Sequence, residues 1–126
     1  MTRSSKKPTE AELGILQVLW SRGPSTVREV AATLGRDGAY TTVLKLLQIM
    51  TEKGLVTRDE TARTHVYAAS SSQDDTQKQI VTDLLDRVFD GSAAKLVLQA
   101  LSSRKASRGD LAEIQKLLDK HRGGRR

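Results

Sequence analysis

Apolar and polar residues alternate along the first part of the chain with the period of an α-helix. Three segments place apolar side chains three and four positions apart, which is the spacing of one buried helical face. They are TEAELGILQVLW (residues 9–20), TVREVAATLG (26–35) and a segment that follows the turn RDGA (36–39) and stops at Gly54. The first segment is apolar almost all round, so we expect a central helix that is covered on two sides. A Thr9-x-x-Glu12 capping box marks its start.

The period changes to that of β-strands after Gly54. LVTRD (55–59) and THVYAA (64–69) are rich in strand-forming residues and flank ETAR, which predicts a hairpin with its turn at residues 60–63. Three helices followed by a hairpin is the element order of a winged helix-turn-helix. We therefore predict a mainly α protein with a small β-hairpin wing, in which residues 9–70 form a winged helix DNA-binding domain.

A second helical region follows the polar joint SSSQDD (70–75). Three amphipathic helices are expected there, and they are too short to enclose much core, because a small domain buries a small share of its surface. A second copy of the chain is the simplest cover for their apolar faces. We therefore expect a helical dimerisation region at residues 71–122, with the interface residues Ile80, Leu84, Val88, Leu98, Leu111, Ile114 and Leu118.

The net charge of +6 is concentrated at the two ends of the chain. Seven of the 21 basic residues lie in residues 1–7 and 120–126, and the rest of the chain holds 14 basic and 15 acidic residues. We predict that residues 1–8 are a disordered basic tail and residues 123–126 a second basic tail. Overall basicity is therefore weak evidence for a nucleic-acid partner.

Several kinds of chemistry find no support in the sequence. The chain has no cysteine, and His65 and His121 are far apart with no acidic ligand pattern around them, so we predict no metal site and no cofactor. It has no nucleophile elbow and no phosphate-binding glycine loop, so we predict no catalytic residue. The start MTRSSKKPTE is polar, so no signal peptide is expected, and the sequence has no apolar run of the ~18 residues that a spanning helix needs. The expected location is the cytoplasm.

The exposed face of the third helix indicates a function. Thr41, Lys45 and Gln48 lie opposite its apolar stripe, where a solvated helix would carry more charge. The second helix of a helix-turn-helix enters the major groove of DNA. There Lys can bond guanine, Gln can bond adenine, and Thr can bond a base or contact a thymine methyl. Tyr40 and Thr42 flank this line and are expected to contact phosphates. An ordinary solvated face is the alternative interpretation.

Three further residues are candidate DNA contacts. Arg58 and Arg63 lie in the predicted hairpin, where an arginine can meet phosphates or an adjacent minor groove. Acidic neighbours such as Glu60 make a surface ion pair the alternative. Either Ser25 or Thr26 can cap the second helix, and Ser25 could also offer its hydroxyl to a phosphate.

Four stretches together resemble the penicillinase-repressor (BlaI/MecI) family of transcriptional regulators. They are TEAELGILQVLW, STVREVAATLG, YTTVLKLLQIMTEKGLV and HVY, and the resemblance runs from about Thr9 to the last helix. It implies a homodimer with an N-terminal winged helix and a helical dimerisation region, which binds inverted-repeat operators in double-stranded DNA and blocks transcription. Family members are often paired with a membrane-bound sensor protease, and induction follows cleavage of the repressor.

The chain departs from the patterns of this family at three points. In staphylococcal-type repressors the induction cut falls at an Asn-Phe bond within VLNF, and the matching stretch here ends in Gln99-Ala100, the candidate cleavage region. Leu44 stands where those repressors carry a basic residue and Lys45 where they carry Thr, so their operator sequence is not carried over to this chain. The copper-responsive branch uses cysteines near its C-terminus, and this chain has none, so copper sensing is not expected.

The predicted function is therefore that of a cytoplasmic dimeric transcriptional repressor rather than an enzyme. Two other functions remain open: a small-molecule-gated winged-helix regulator, and a winged helix used for protein–protein interaction. Salt-dependent DNA binding distinguishes the last of these, because phosphate contacts make log K fall with log salt.

Overall fold

The computed structural model of the chain describes residues 7–35 and 39–123. Most of the two predicted basic tails (residues 1–6 and 124–126) and most of the predicted turn (36–38) lie outside the described residues. Within these ranges the elements follow the predicted order: α1 (Glu10–Arg22), α2 (Val27–Leu34), α3 (Ala39–Lys53), β1 (Val56–Asp59), β2 (Val66–Ala69), α4 (Gln73–Val88), α5 (Ala93–Ser103) and α6 (Arg108–Gly123). The chain is mainly helical with one small hairpin, and the order of α1 to β2 is that of a winged helix.

α1 begins at the predicted capping box and occupies the centre of the first part of the fold. The Thr9 amide donates to Glu12 Oε1 at 2.9 Å, and the Glu12 amide donates to Thr9 Oγ1 at 3.2 Å. The helix packs against α2, α3 and β2. Its buried side chains are Glu12, Ile15, Leu16, Val18 and Leu19. The prediction of a central helix is confirmed.

A buried ion pair joins the start of α1 to the end of α3. Lys53 Nζ lies 2.7 Å from Glu12 Oε1, and the two side chains are 20% and 3% exposed, respectively. The same carboxylate oxygen accepts the Thr9 amide. Glu12 therefore ties the first turn of α1 both to its own cap and to the last turn of α3.

A second capping box starts α2, and it uses Thr26 rather than Ser25. Thr26 Oγ1 accepts the Glu29 amide at 3.1 Å, and Glu29 Oε1 accepts the Thr26 amide at 2.9 Å. The helix ends at Gly35, which has a φ of 68° and so adopts the left-handed conformation that glycine tolerates.

The apolar stripe of α3 lies in the core as predicted. Val43, Leu47 and Met50 are 2%, 0% and 0% exposed, and Leu46 packs against the same core. Gly54 follows the helix with a φ of 83°. The helix thus presents one side to the core and leaves the other side outside it.

The wing is a two-stranded antiparallel hairpin whose loop is longer than predicted. Val56 pairs with Ala69 at one end of the ladder and Asp59 pairs with Val66 at the other. The loop therefore spans residues 60–65, and the prediction of a turn at 60–63 is wrong in length. Asp59 Oδ1 accepts hydrogen bonds from the amide and the hydroxyl of Thr61, at 2.9 and 2.7 Å, which bends the chain away from β1.

An extended residue between α1 and α2 forms a bridge with the wing. The Ser25 amide donates to the Tyr67 carbonyl at 2.9 Å, and the Tyr67 amide donates to the Ser25 carbonyl at 2.8 Å. Tyr67 is 2% exposed and belongs to the core. This bridge fixes β2 against the loop before α2, and the sequence pattern does not predict it.

The chain divides into two compact units, of which the first ends at Val81 and the second begins at Thr82. In the second unit, α5 and α6 start at caps formed by Ser92 and Ser107. Neither helix contains a buried residue. Of the predicted interface residues, Ile80 and Ile114 are half-buried and the others are exposed: Leu84, Val88, Leu98, Leu111 and Leu118. No helix within residues 7–35 and 39–123 combines the length and the apolar character needed to span a bilayer.

Candidate nucleic-acid interface

The predicted DNA-contacting residues of α3 lie on its exposed side. Tyr40, Thr41, Thr42, Lys45 and Gln48 are all exposed, and we refer to these five residues as the reading face. Tyr40 is the most apolar of them and is 45% exposed. The core residues of α3 occupy the opposite side, so side chains of the reading face are free to meet a partner without disturbing the core.

Cations in and beside the reading face lack the carboxylate partners that other cations of the first unit have. Arg28, Lys45 and Arg63 form no ion pair with any carboxylate in the ranges 7–35 and 39–123. In contrast, other cations of the unit are paired: Arg22 with Glu29 at 3.6 Å, Lys53 with Glu12 at 2.7 Å, Arg58 with Glu60 at 2.6 Å and Lys78 with Asp74 at 3.4 Å. Among the residues that the structure describes, three cations without a carboxylate partner thus lie where α2, α3 and the wing meet, which favours an anionic partner.

A cleft of about 320 Å³ lies at this meeting point. Its buried and half-buried lining includes Val27, Leu44 and Tyr67, and its exposed lining includes Arg28, Tyr40, Arg63 and His65. The lining is completed by Thr26 and Thr64, so it contains no carboxylate. The structure therefore brings together the predicted residues Tyr40 and Arg63, which are distant in sequence.

Arg28 is a member of this site that the sequence analysis missed. Its guanidinium carbon lies 5.6 Å from the centroid of the Tyr40 ring, within the range of a cation–π contact. Arg28 follows the capping residue by two positions in α2, which resembles any exposed helical arginine. Only the packing of α2 beside the start of α3 distinguishes it.

The prediction that Ser25 contacts a phosphate is wrong. Ser25 is 0% exposed, because its backbone pairs with Tyr67 in the bridge to the wing. Its hydroxyl donates to the Gly23 carbonyl at 2.8 Å and accepts from Arg22 Nε at 3.3 Å. Both hydrogen-bonding functions of the hydroxyl are therefore used inside the protein.

The two wing arginines differ in environment. Arg58 Nε lies 2.6 Å from Glu60 Oε2, and the hydrogen bond with the Tyr67 side chain and the pairing with Glu60 raise the pKa of its guanidinium. Its charge is therefore offset within the wing, which favours the ion-pair interpretation of Arg58. Arg63 is exposed in the loop of residues 60–65 and lines the cleft.

The candidate cleavage region lies within a helix. Gln99 and Ala100 are exposed residues of α5. The hydroxyl of Ser102 donates to the Leu98 carbonyl at 2.7 Å, and that of Ser103 donates to the Gln99 carbonyl at 2.8 Å.

Within the described parts of the chain, no group of three or more His, Asp or Glu side chains is arranged to hold a metal ion.

Comparison with known proteins matches most of the chain. The family model described as penicillinase repressor matches residues 8–120. The transcriptional regulator BlaI of Mycobacterium tuberculosis (strains CDC 1551 / Oshkosh and ATCC 25618 / H37Rv) is 33% identical over 115 residues, which cover 84% of this chain and 83% of that protein. The penicillinase repressor of Bacillus licheniformis is 22% identical over 116 residues, covering 90% and 91%, respectively.

A solved structure, that of the transcriptional regulator Tm0710 from Thermotoga maritima, aligns with a TM-score of 0.48 and 18% identity over 93% of this chain and 80% of that chain. The family match and the relatives at 33% and 22% identity each extend over both units. The chain therefore belongs to the penicillinase repressor family, whose members are DNA-binding transcriptional repressors and not enzymes.

Proposed function

We propose that this repressor acts in the cytoplasm as a homodimer that binds an inverted-repeat operator, with one winged helix on each half-site. The observation that carries the proposal is the reading face of α3, which is exposed and lies beside cations that no described carboxylate compensates. A two-fold symmetric protein matches a two-fold symmetric operator. Its half-sites would lie about one helical turn apart, or a multiple of that distance.

The reading face supplies chemistry suited to base edges. Lys45 can donate to guanine O6 and N7, Gln48 can bond adenine through both atoms of its amide, and Thr41 can bond a base or contact a thymine methyl. Tyr40 and Thr42 flank these residues and would contact the sugar–phosphate backbone. Arg63 is our candidate for the wing contact, and Arg58 contributes less because Glu60 is its partner.

The dimer would form through the apolar faces of α4, α5 and α6. The exposure of leucines such as Leu98 and Leu118, which are 64% and 50% accessible in the single chain, supports this assignment. Burying an exposed leucine side chain contributes roughly 1.5–3 kcal/mol. The same faces carry the other candidate interface residues: Ile80, Leu84, Val88, Leu111 and Ile114.

Sedimentation equilibrium of matched α6 variants tests the dimer. Leu118→Glu places a charge on the apolar face and is expected to shift the protein to monomer. Lys116→Glu makes a comparable change on the other side of the same helix and should leave the dimer intact. Equal behaviour of the two variants would overturn the assignment of this interface.

Induction by a membrane-bound sensor protease would require α5 to open. Proteases cut chains that local unfolding exposes, and the Gln99-Ala100 bond lies inside this helix. The bonds from the Ser102 and Ser103 hydroxyls to the carbonyls one turn earlier would ease this opening, because such bonds slightly destabilise a helix. Mass spectrometry of the repressor recovered after exposure to the sensor should find a fragment that ends at Gln99. Cuts confined to other positions would refute this part of the proposal.

Gel shift and footprinting at several salt concentrations test the DNA-binding proposal. The wild-type protein should protect an inverted repeat upstream of its target genes. Lys45→Ala should lose about 1–3 kcal/mol of binding and relax one operator position. Lys78→Ala is the matched control, because Lys78 lies on α4 and pairs with Asp74 at 3.4 Å. Weak, sequence-indifferent binding by the wild-type protein would overturn the role of the reading face.

A further inference from the structure

The cleft between α2, α3 and the wing has the composition of an anion-binding site. Arg28 enters it from α2 and Arg63 from the wing loop, and the cleft lining contains no carboxylate. The acidic neighbour of Arg28 is directed elsewhere, because Glu29 accepts the Thr26 amide and pairs with Arg22. Both cationic groups therefore have their donors available to a bound anion.

The cation–π contact with Tyr40 holds Arg28 at the cleft, with the guanidinium carbon 5.6 Å from the ring centroid. This contact uses none of the guanidinium N–H groups as hydrogen-bond donors to a carboxylate, so they stay available. These donors match two oxygens of a phosphate. Hydroxyls of Thr26 and Thr64 also line the cleft, but the arginines bring the permanent positive charge, so they are its strongest donors for an anion.

The position of the cleft indicates where the anion comes from. Tyr40 and Leu44 line it, and Thr41 and Lys45 of the reading face directly follow them in the same helix. A DNA strand at the edge of a groove that α3 occupies would pass beside these residues. A volume of about 320 Å³ exceeds that of a lone phosphate and leaves room for the attached sugars.

We propose that this cleft binds one backbone phosphate of the operator next to each half-site, through Arg28 and Arg63, with Tyr40 as the platform that holds Arg28. The proposal rests on the DNA-binding function proposed above and adds a residue and a chemical group to it. A phosphate contact does not distinguish one base from another. It should therefore strengthen binding and fix the position of the protein on the duplex to the same extent on every operator sequence.

Affinity measured against salt concentration tests the site with arginine variants. Because the two arginines share one phosphate, Arg28→Ala/Arg63→Ala should reduce the slope of log K against log salt by about 0.9, and each single variant should account for part of that reduction. The loss should be the same on operator variants of different sequence. Arg87→Ala is the control, because Arg87 lies on α4 and pairs with Asp83 at 3.1 Å. A loss limited to one base pair would overturn the proposal by making Arg28 a base contact. A slope equal to that of the control would overturn it as well.

Operators with a single uncharged methylphosphonate locate the phosphate. One substituted position in each half-site should weaken binding of the wild-type protein and have no further effect on Arg28→Ala/Arg63→Ala. If every substituted position weakens the double variant as much as the wild type, the cleft holds no operator phosphate.

Titration with inorganic phosphate, followed by NMR of the Arg28 and Arg63 side chains, separates the DNA backbone from free phosphate. Shifts of both arginines together with unchanged operator affinity in the variants would assign the cleft to free phosphate and overturn the DNA assignment. A wild-type protein that protects no operator would refute the proposed function, whereas this titration would still report on the cleft.

Discussion

Removing the cation of the Glu12–Lys53 pair should destabilise the first unit strongly. In Lys53→Met the aliphatic part of the side chain is kept and the charge is lost. The Glu12 carboxylate, which is 3% exposed, would then be buried with the Thr9 amide as its remaining described donor. Such a charge is costly because water cannot reach it.

The size of this effect follows from the burial of the two groups. Breaking a fully buried ion pair by removing one partner costs about 3–5 kcal/mol. Lys53 is 20% exposed and Glu12 keeps one backbone hydrogen bond, so we expect a loss of about 2–3 kcal/mol in the free energy of unfolding. Glu12→Gln/Lys53→Met should recover most of it, since a glutamine can still accept the Thr9 amide without a buried charge.

Urea unfolding followed by fluorescence of Trp20, the single tryptophan of the chain, measures the effect. All variants must be compared at one protein concentration, because association stabilises the folded chain. Glu12→Gln completes the double-mutant cycle and gives the coupling energy of the pair. A loss below about 0.5 kcal/mol in Lys53→Met, the range of ordinary surface substitutions, would refute the reasoning. So would a double variant no more stable than Lys53→Met.

Three further predictions concern single residues of the winged helix. Gly14→Ala should raise the unfolding free energy by about 0.5–1 kcal/mol in thermal melts, because Gly14 is inside α1 and an added Cβ meets no atom within 4 Å. Gly54→Ala should lower the unfolding free energy, because Gly54 has a φ of +83°. A change of the same sign in both variants would contradict this account. Ser25→Ala should cost about 1 kcal/mol of stability and leave the salt dependence of DNA binding unchanged, whereas a smaller salt slope would restore Ser25 as a phosphate contact. The amide and hydroxyl of Thr61 lower the pKa of Asp59. The stability that the Asp59 carboxylate gives the wing should therefore be complete above the pKa of an unperturbed aspartate, about 3.9, and should be lost as the pH falls through the lower pKa of the folded protein. Loss of the Thr61 amide signal above pH ~4 in an NMR titration would contradict this.

The helices could be predicted from the sequence because their signals are local. Thr9 and Glu12 stand three residues apart and form the expected cap, and the apolar stripe of α3 is visible in the spacing of Val43, Leu46, Leu47 and Met50. The order of helices and hairpin then restricts the architecture to few alternatives.

The features that the sequence does not reveal depend on distant residues. Ser25 and Thr26 are equivalent cap candidates in the sequence, and the choice between them follows from the backbone bridge that holds Ser25 against Tyr67. Arg28 gains its role from the ring of Tyr40 on another helix. Neither pairing has a periodic pattern, so both appear only when the chain is folded.

The separation of the two sides of α3 has a consequence for evolution of the family. The core residues Val43, Leu47 and Met50 hold the helix, while Lys45 and Gln48 of the reading face are exposed. Substitutions at Lys45 or Gln48 should therefore change stability by no more than about 0.5 kcal/mol. A lineage could exchange these side chains one at a time and adopt a new operator while remaining folded at every step, so that gene duplication readily yields paralogues with distinct regulons.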